Sequence, residues 1–127
     1  MITEDYVSFE TAKLLKEKGF DERCTHYYKN EKYLVDLGYT NIHSYTNSDL
    51  VEEFAAPTLP TAMKWLRRKH NFFIQVTVDF SDGAYPMYDV CVIDLARCTS
   101  IIVNGYDRYN FIQAYETAIK YCLENLI

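Results

Sequence analysis

A chain of 127 residues, 49% hydrophobic and 24% charged, holds enough apolar material for one folded domain and too much for a disordered segment. At this size folding buries roughly two-thirds of the surface that the unfolded chain exposes, so no staples are needed. The net charge of −5 and a pI near 5.1 repel phosphate backbones at long range, so nucleic-acid binding would need a segregated basic patch. The opening MITEDYVSFE lacks a basic n-region and an apolar h-region, and no window approaches a membrane span in length; no membrane role is expected. Cys24, Cys91, Cys98 and Cys122 form no CxxC pair, which suits free thiols in a reducing, cytoplasmic setting.

Taken in chain order, the first predicted element is a helix over SFETAKLLKEKGF, capped by Ser8, with Val7, Thr11, Leu14 and Leu15 on one side. Gly19 suits a left-handed stop, and Phe20 can pack back on Leu15. HYYKNEKYLVDL reads as two short strands about a KNE turn, and YTNIHSYT as a third. SDLVEEFAAP reads either as a short acidic helix capped by Ser48 or as strand and loop, ended by Pro57. Thr58 caps a second helix whose stripe is Leu59, Ala62, Met63 and Leu66, with Trp65 at the edge of the core.

FFIQVTVDF is the clearest strand, with Phe72, Ile74, Val76, Val78 and Phe80 on one face. A Ser81-Asp82-Gly83 turn leads to YDVCVIDL, a central strand, and then to CTSIIV, closed by Asn104-Gly105. The last helix opens with Asn110 and Gln113 as a capping box. Its inward face is Ile112, Tyr115, Ala118, Ile119, Cys122 and Leu126. The expected class is α+β: a single domain, 1–127, with three main helices on one face of a mainly antiparallel sheet, in the order α-β-β-(β)-α-β-β-β-α.

Chemistry is harder to find. Lys64, Arg67, Arg68 and Lys69 crowd TAMKWLRRKH opposite or beside the apolar stripe, a solvated face that the helix macrodipole favours at its C-terminal end. The same four cations are the candidate phosphate contacts. Twelve tyrosines supply rigid, amphipathic surface, and Tyr27, Tyr28, Tyr33 and Tyr45 are the candidate partner-binding set. His26, His43 and His70 lack metal-ligand spacing, Cys24-x-His26 is an isolated fragment, and Asp79, Asp82 and Asp89 bracket a turn without a calcium-loop pattern. Glu52 and Glu53, adjacent in sequence, would point about 100° apart on a helix. No metal and no cofactor motif emerges, since P-loop, nucleophile elbow and dinucleotide fingerprint are all missing.

Three blocks, YVSFETAKLLKEKGFDE, APTLPTAMKWLRRKHNFFIQV and YETAIKYCLENLI, cover about two-fifths of the chain. They resemble a family of small proteins of gut Bacteroides-type bacteria and their phages or mobile elements, a family without an established activity. In that family the middle helix ends Arg-Glu-Val, whereas here it ends Arg67-Arg68-Lys69-His70, so the basic cluster is particular to this chain. The resemblance implies an intracellular protein from a mobile-element setting. The preferred expectation is a non-enzymatic module that binds a protein partner or itself through tyrosine-rich surface. The alternatives are a weak nucleic-acid binder using the basic helix, and an enzyme with an unrecognised site near Cys24, His26 or His43.

Overall fold

The computed structural model describes residues 2–30, 33–36 and 44–127. The protein is α+β, with antiparallel strands shared between two three-stranded sheets, ordered Tyr33–Asp36, His26–Asn30, Phe54–Ala55 in one and Phe72–Asp79, Met87–Asp94, Thr99–Val103 in the other. It resolves into two compact units, Met1–Thr61 and Ala62–Ile127.

In the first unit, α1 (Phe9–Glu17) starts where the Ser8 hydroxyl accepts from the Thr11 N–H at 3.3 Å. It ends in a full Schellman motif: Phe20 N–H donates to Leu15 O and Gly19 N–H to Lys16 O, with Gly19 at φ 90°. Val7, Thr11, Ala12, Leu15 and Phe20 are buried. Strands β1 (His26–Asn30) and β2 (Tyr33–Asp36) pair as the sequence predicts, with an irregularity between Tyr28 and Asn30. The third strand is β3 (Phe54–Ala55), which packs under α1. Of the segment read as a third strand, 39–43 lies outside the described residues, and Tyr45 forms an isolated bridge to Cys24. The ambiguous 48–56 stretch is a 3₁₀ turn, Asn47–Asp49, followed by β3. Its cap is Thr46, whose N–H and hydroxyl both donate to Asp49 Oδ2, while the Ser48 hydroxyl donates to Asp21 at 2.6 Å.

Helix α2 (Leu59–His70) begins with Thr58 accepting from Thr61 N–H and buries Leu59, Ala62, Trp65 and Leu66. Asn71, at φ 62°, ends it by donating to Arg67 O. In the second unit, β4 (Phe72–Asp79), β5 (Met87–Asp94) and β6 (Thr99–Val103) form an antiparallel sheet with β5 central. Helix α3 (Phe111–Tyr121) lies across all three strands, burying Ala114, Ala118 and Ile119, and widens into a π turn over Cys122–Leu126. Asn110 accepts from the Ile112 and Gln113 N–H groups. The Gln113 carboxamide does not close the expected capping box on Asn110: its oxygen accepts from Asp107 N–H, three residues earlier, and the Asn110 N–H donates to Asp107 O instead.

Where β6 stops, a side chain continues its ladder. The Tyr106 hydroxyl accepts from Val90 N–H and donates to Tyr88 O, both at 3.0 Å, and Tyr88 N–H donates to Arg108 O. The edge of β5 beyond Val103 is thereby satisfied.

Candidate interaction surface

The four tyrosines singled out from the sequence do different things. Tyr27 and Tyr28 are consecutive on β1 and so point to opposite faces. Tyr28 is structural: its hydroxyl donates to Val7 O at 2.7 Å and its ring meets Phe9 edge-on. Tyr45 is half-buried at the Cys24 bridge, and Tyr33 is 63% exposed at the start of β2.

Cys24 and His26 are close in sequence but chemically ordinary. Burial pushes the Cys24 thiol up to about 11, with Glu22 adding to the effect, so it is protonated at neutral pH. The His26 ring stacks on Tyr6 at 4.0 Å and its Nδ1 shares a 2.9 Å hydrogen bond with Thr25. His43 lies outside the described residues. His70, the last residue of α2, meets Trp65 edge-on, and its Nε2 is buried with no hydrogen-bond partner. Desolvation, followed by the charge of Lys69, holds this imidazole below its ordinary value of 6.5. It borders a cleft of about 440 Å³ with Asp94, Arg97, Thr99 and Asn125. Sequence spacing does not reveal this grouping, because His70 and Asp94 are brought together by the β4–β5 ladder, where Phe72 pairs with Asp94. Asp94 Oδ1 is already engaged, accepting from the Ala96 and Arg97 N–H groups of the turn.

Lys64, Arg67, Arg68 and Lys69 are all exposed on α2, and no carboxylate among the described residues forms an ion pair with them. Charge is unevenly distributed along the chain. Residues 1–61 hold eleven acidic and six basic side chains, and residues 62–127 hold seven of each. The second unit is therefore neutral but polarised. Its cations cluster at the end of α2, and Asp79, Asp82, Asp89 and Asp107 gather around the β4–β5 turn and the approach to α3. There Arg108 bridges two of the four, with Nη2 at 3.2 Å from Asp79 and 2.7 Å from Asp89.

That same end of the sheet outruns its helix. Phe72, Ile74 and Val76 turn inward, as their alternation predicts, and Ile74 is buried. Cover begins with Phe111 at the head of α3, whose ring meets Tyr88 at 5.8 Å. Beyond it the apolar pattern runs on exposed: Val78 is 48% exposed, Phe80 73%, Tyr85 70% and Tyr109 52%, and Phe111 itself is 44% exposed. Tyr85, Pro86 and Tyr109 line a shallow, mainly apolar recess. The sequence alternation puts Val78 and Phe80 on the same face as the buried Ile74, which predicts a core position for both. They are uncovered because α3 starts opposite Tyr88, a boundary set by the Asn110 cap. Tyr85 and Tyr109 were missed as surface candidates because they lie in loops, where no periodicity marks them.

No helix among the described residues is long and apolar enough to cross a membrane, and no three His, Cys, Asp or Glu side chains among them converge as a metal site. No family model, curated protein or solved structure matches this chain.

Proposed function

We propose that the chain is a protein-interaction module without catalytic activity of its own, and that the uncovered end of the second sheet is its docking surface. The observation that carries this reading is the exposure of Val78, Phe80, Tyr85, Tyr109 and Phe111 around the β4–β5 turn and the start of α3, where Tyr85 and Tyr109 line one recess and Asp82 and Asp107 stand near them in sequence. Aromatic side chains of low conformational freedom are the usual anchors of protein interfaces, and exposed apolar patches rimmed by polar groups mark binding sites. The neighbouring carboxylates favour a partner segment that is apolar and positively charged. The setting in a bacterial mobile element rests on the sequence resemblance alone.

Affinity capture with the tagged protein in its native host tests the reading. The wild type is expected to retain a partner that Tyr85→Ser/Tyr109→Ser loses, because a central aromatic anchor is worth about 2 kcal/mol or more. A partner held equally by both forms places the surface elsewhere. A second reading, nucleic-acid binding through Lys64, Arg67, Arg68 and Lys69, is favoured by the absence of acidic partners for these cations among the described residues. It requires binding at low salt that falls steeply as salt rises and disappears in the Arg67→Glu/Arg68→Glu variant.

A further inference from the structure

We infer that the free edge of β4 pairs antiparallel with β4 of a second copy of this chain, joining two three-stranded sheets into one of six strands. This edge adjoins the aromatic docking surface and shares Val78 with it, but does not use Tyr85 or Tyr109. It consists of the backbone of Phe72–Asp79, which has β5 on one side and no strand among the described residues on the other.

Exposed edges invite pairing, and folded proteins ordinarily blunt them with lysine, proline, a bulge or short length. Strand β4 has none of these. It runs eight residues, FFIQVTVD, in unbroken register with β5, and its single charge, Asp79, stands at the far end. At about 3.4 Å per residue it presents roughly 27 Å of ladder.

Charge selects both the partner and the direction. One end of β4 follows the cations Arg67, Arg68 and Lys69, separated from them by His70 and Asn71. The other end carries Asp79 and is followed by Asp82. Parallel pairing of two copies would set like charge beside like. Antiparallel pairing sets the α2 terminus of each copy beside the acidic turn of the other, twice over, by the two-fold symmetry of an isologous contact. The cationic cluster, which has no carboxylate partner among the described residues, then has one. Centred on Val76, the pairing sets Ile74 opposite Val78 of the second copy and extends the apolar inner face across the junction.

Sedimentation velocity over a concentration series up to about 100 μM, a range in which a micromolar dimer would be populated, tests the proposal. The expected species has twice the 14.9 kDa chain mass, and its fraction falls as salt rises. Gln75→Lys/Thr77→Lys places charges on the outer face at two exposed positions, and should give a monomer with unchanged thermal unfolding. Arg67→Glu/Arg68→Glu should weaken the dimer about tenfold or more, and adding Asp82→Arg to that variant should restore it. Tyr85→Ser/Tyr109→Ser should leave the dimer intact, which separates this contact from the docking surface proposed above. A wild type that stays monomeric across the series, or a dimer indifferent to the two edge lysines, overturns the proposal.

Discussion

The two units solve the problem of small size in different ways. In residues 1–61, where strands are short, polar side chains tie segments together. Asn47 is buried, donates to Phe20 O at 2.7 Å and accepts from Ala55 N–H at 2.9 Å, joining the end of α1 to β3. The Lys16 ammonium donates to the carbonyls of Leu50, Val51 and Glu53 and lies 5.3 Å from the centre of the Phe54 ring. Asp21 accepts from both the N–H and the hydroxyl of Ser48. In residues 62–127 a long antiparallel ladder under one helix does that work. The side chains freed from it leave aromatic surface uncovered and charge sorted to opposite ends. A unit held by backbone pairing can leave its side chains for recognition, whereas a unit held by side-chain clasps cannot.

Breaking a clasp should therefore cost most. Asn47→Ala removes the hydrogen bonds that Asn47 makes to a buried N–H and a backbone carbonyl, and is expected to lower stability by about 3 kcal/mol in urea unfolding. Next comes Lys16→Met, which keeps most of the aliphatic stem but leaves three carbonyls to water, for an expected loss of about 2 kcal/mol. Hydrogen exchange should show the 50–55 segment opening first in that variant. On the other side of the comparison, Tyr106→Phe strips the hydroxyl that closes the β5 edge and leaves the Val90 N–H unmet. A loss of about 1.5 kcal/mol is expected, with faster exchange at Val90. The smallest effect is a pH dependence. Because the folded protein holds His70 below its ordinary value, the unfolded chain takes up the proton first as pH falls. Its contribution is fully present above about pH 6.5 and is lost below it. The difference in stability between pH 7.5 and pH 5.5 should shrink in His70→Gln.

Much of the fold was legible because its signals are local. Ser8, Gly19 and Phe20 bound α1, Thr58 and Asn110 start α2 and α3, and the alternation of FFIQVTVD defines β4. What escaped depends on distant partners. Asn47 reads as an unremarkable turn residue until Phe20 and Ala55 converge on it. The division of the strands between two sheets cannot be read from strands whose patterns fit either. β3, two residues long, carries too little pattern to register as a strand. Tyrosine content pointed to interaction surface, but residue type alone did not separate Tyr28, which is locked to Val7, from Tyr85, which is exposed in a loop. Among residues 62–127, the start of α3 settles which part of the sheet stays bare.

Tyr33 and Tyr85 are matched probes of this account: both are exposed tyrosines, 63% and 70%, one in each unit. Replacing each in turn with a photoreactive benzoylphenylalanine and irradiating the protein in its native host measures directly which unit meets a partner. Recognition by the second unit requires a discrete cross-linked species from position 85 and none from position 33. The reverse pattern would contradict the account.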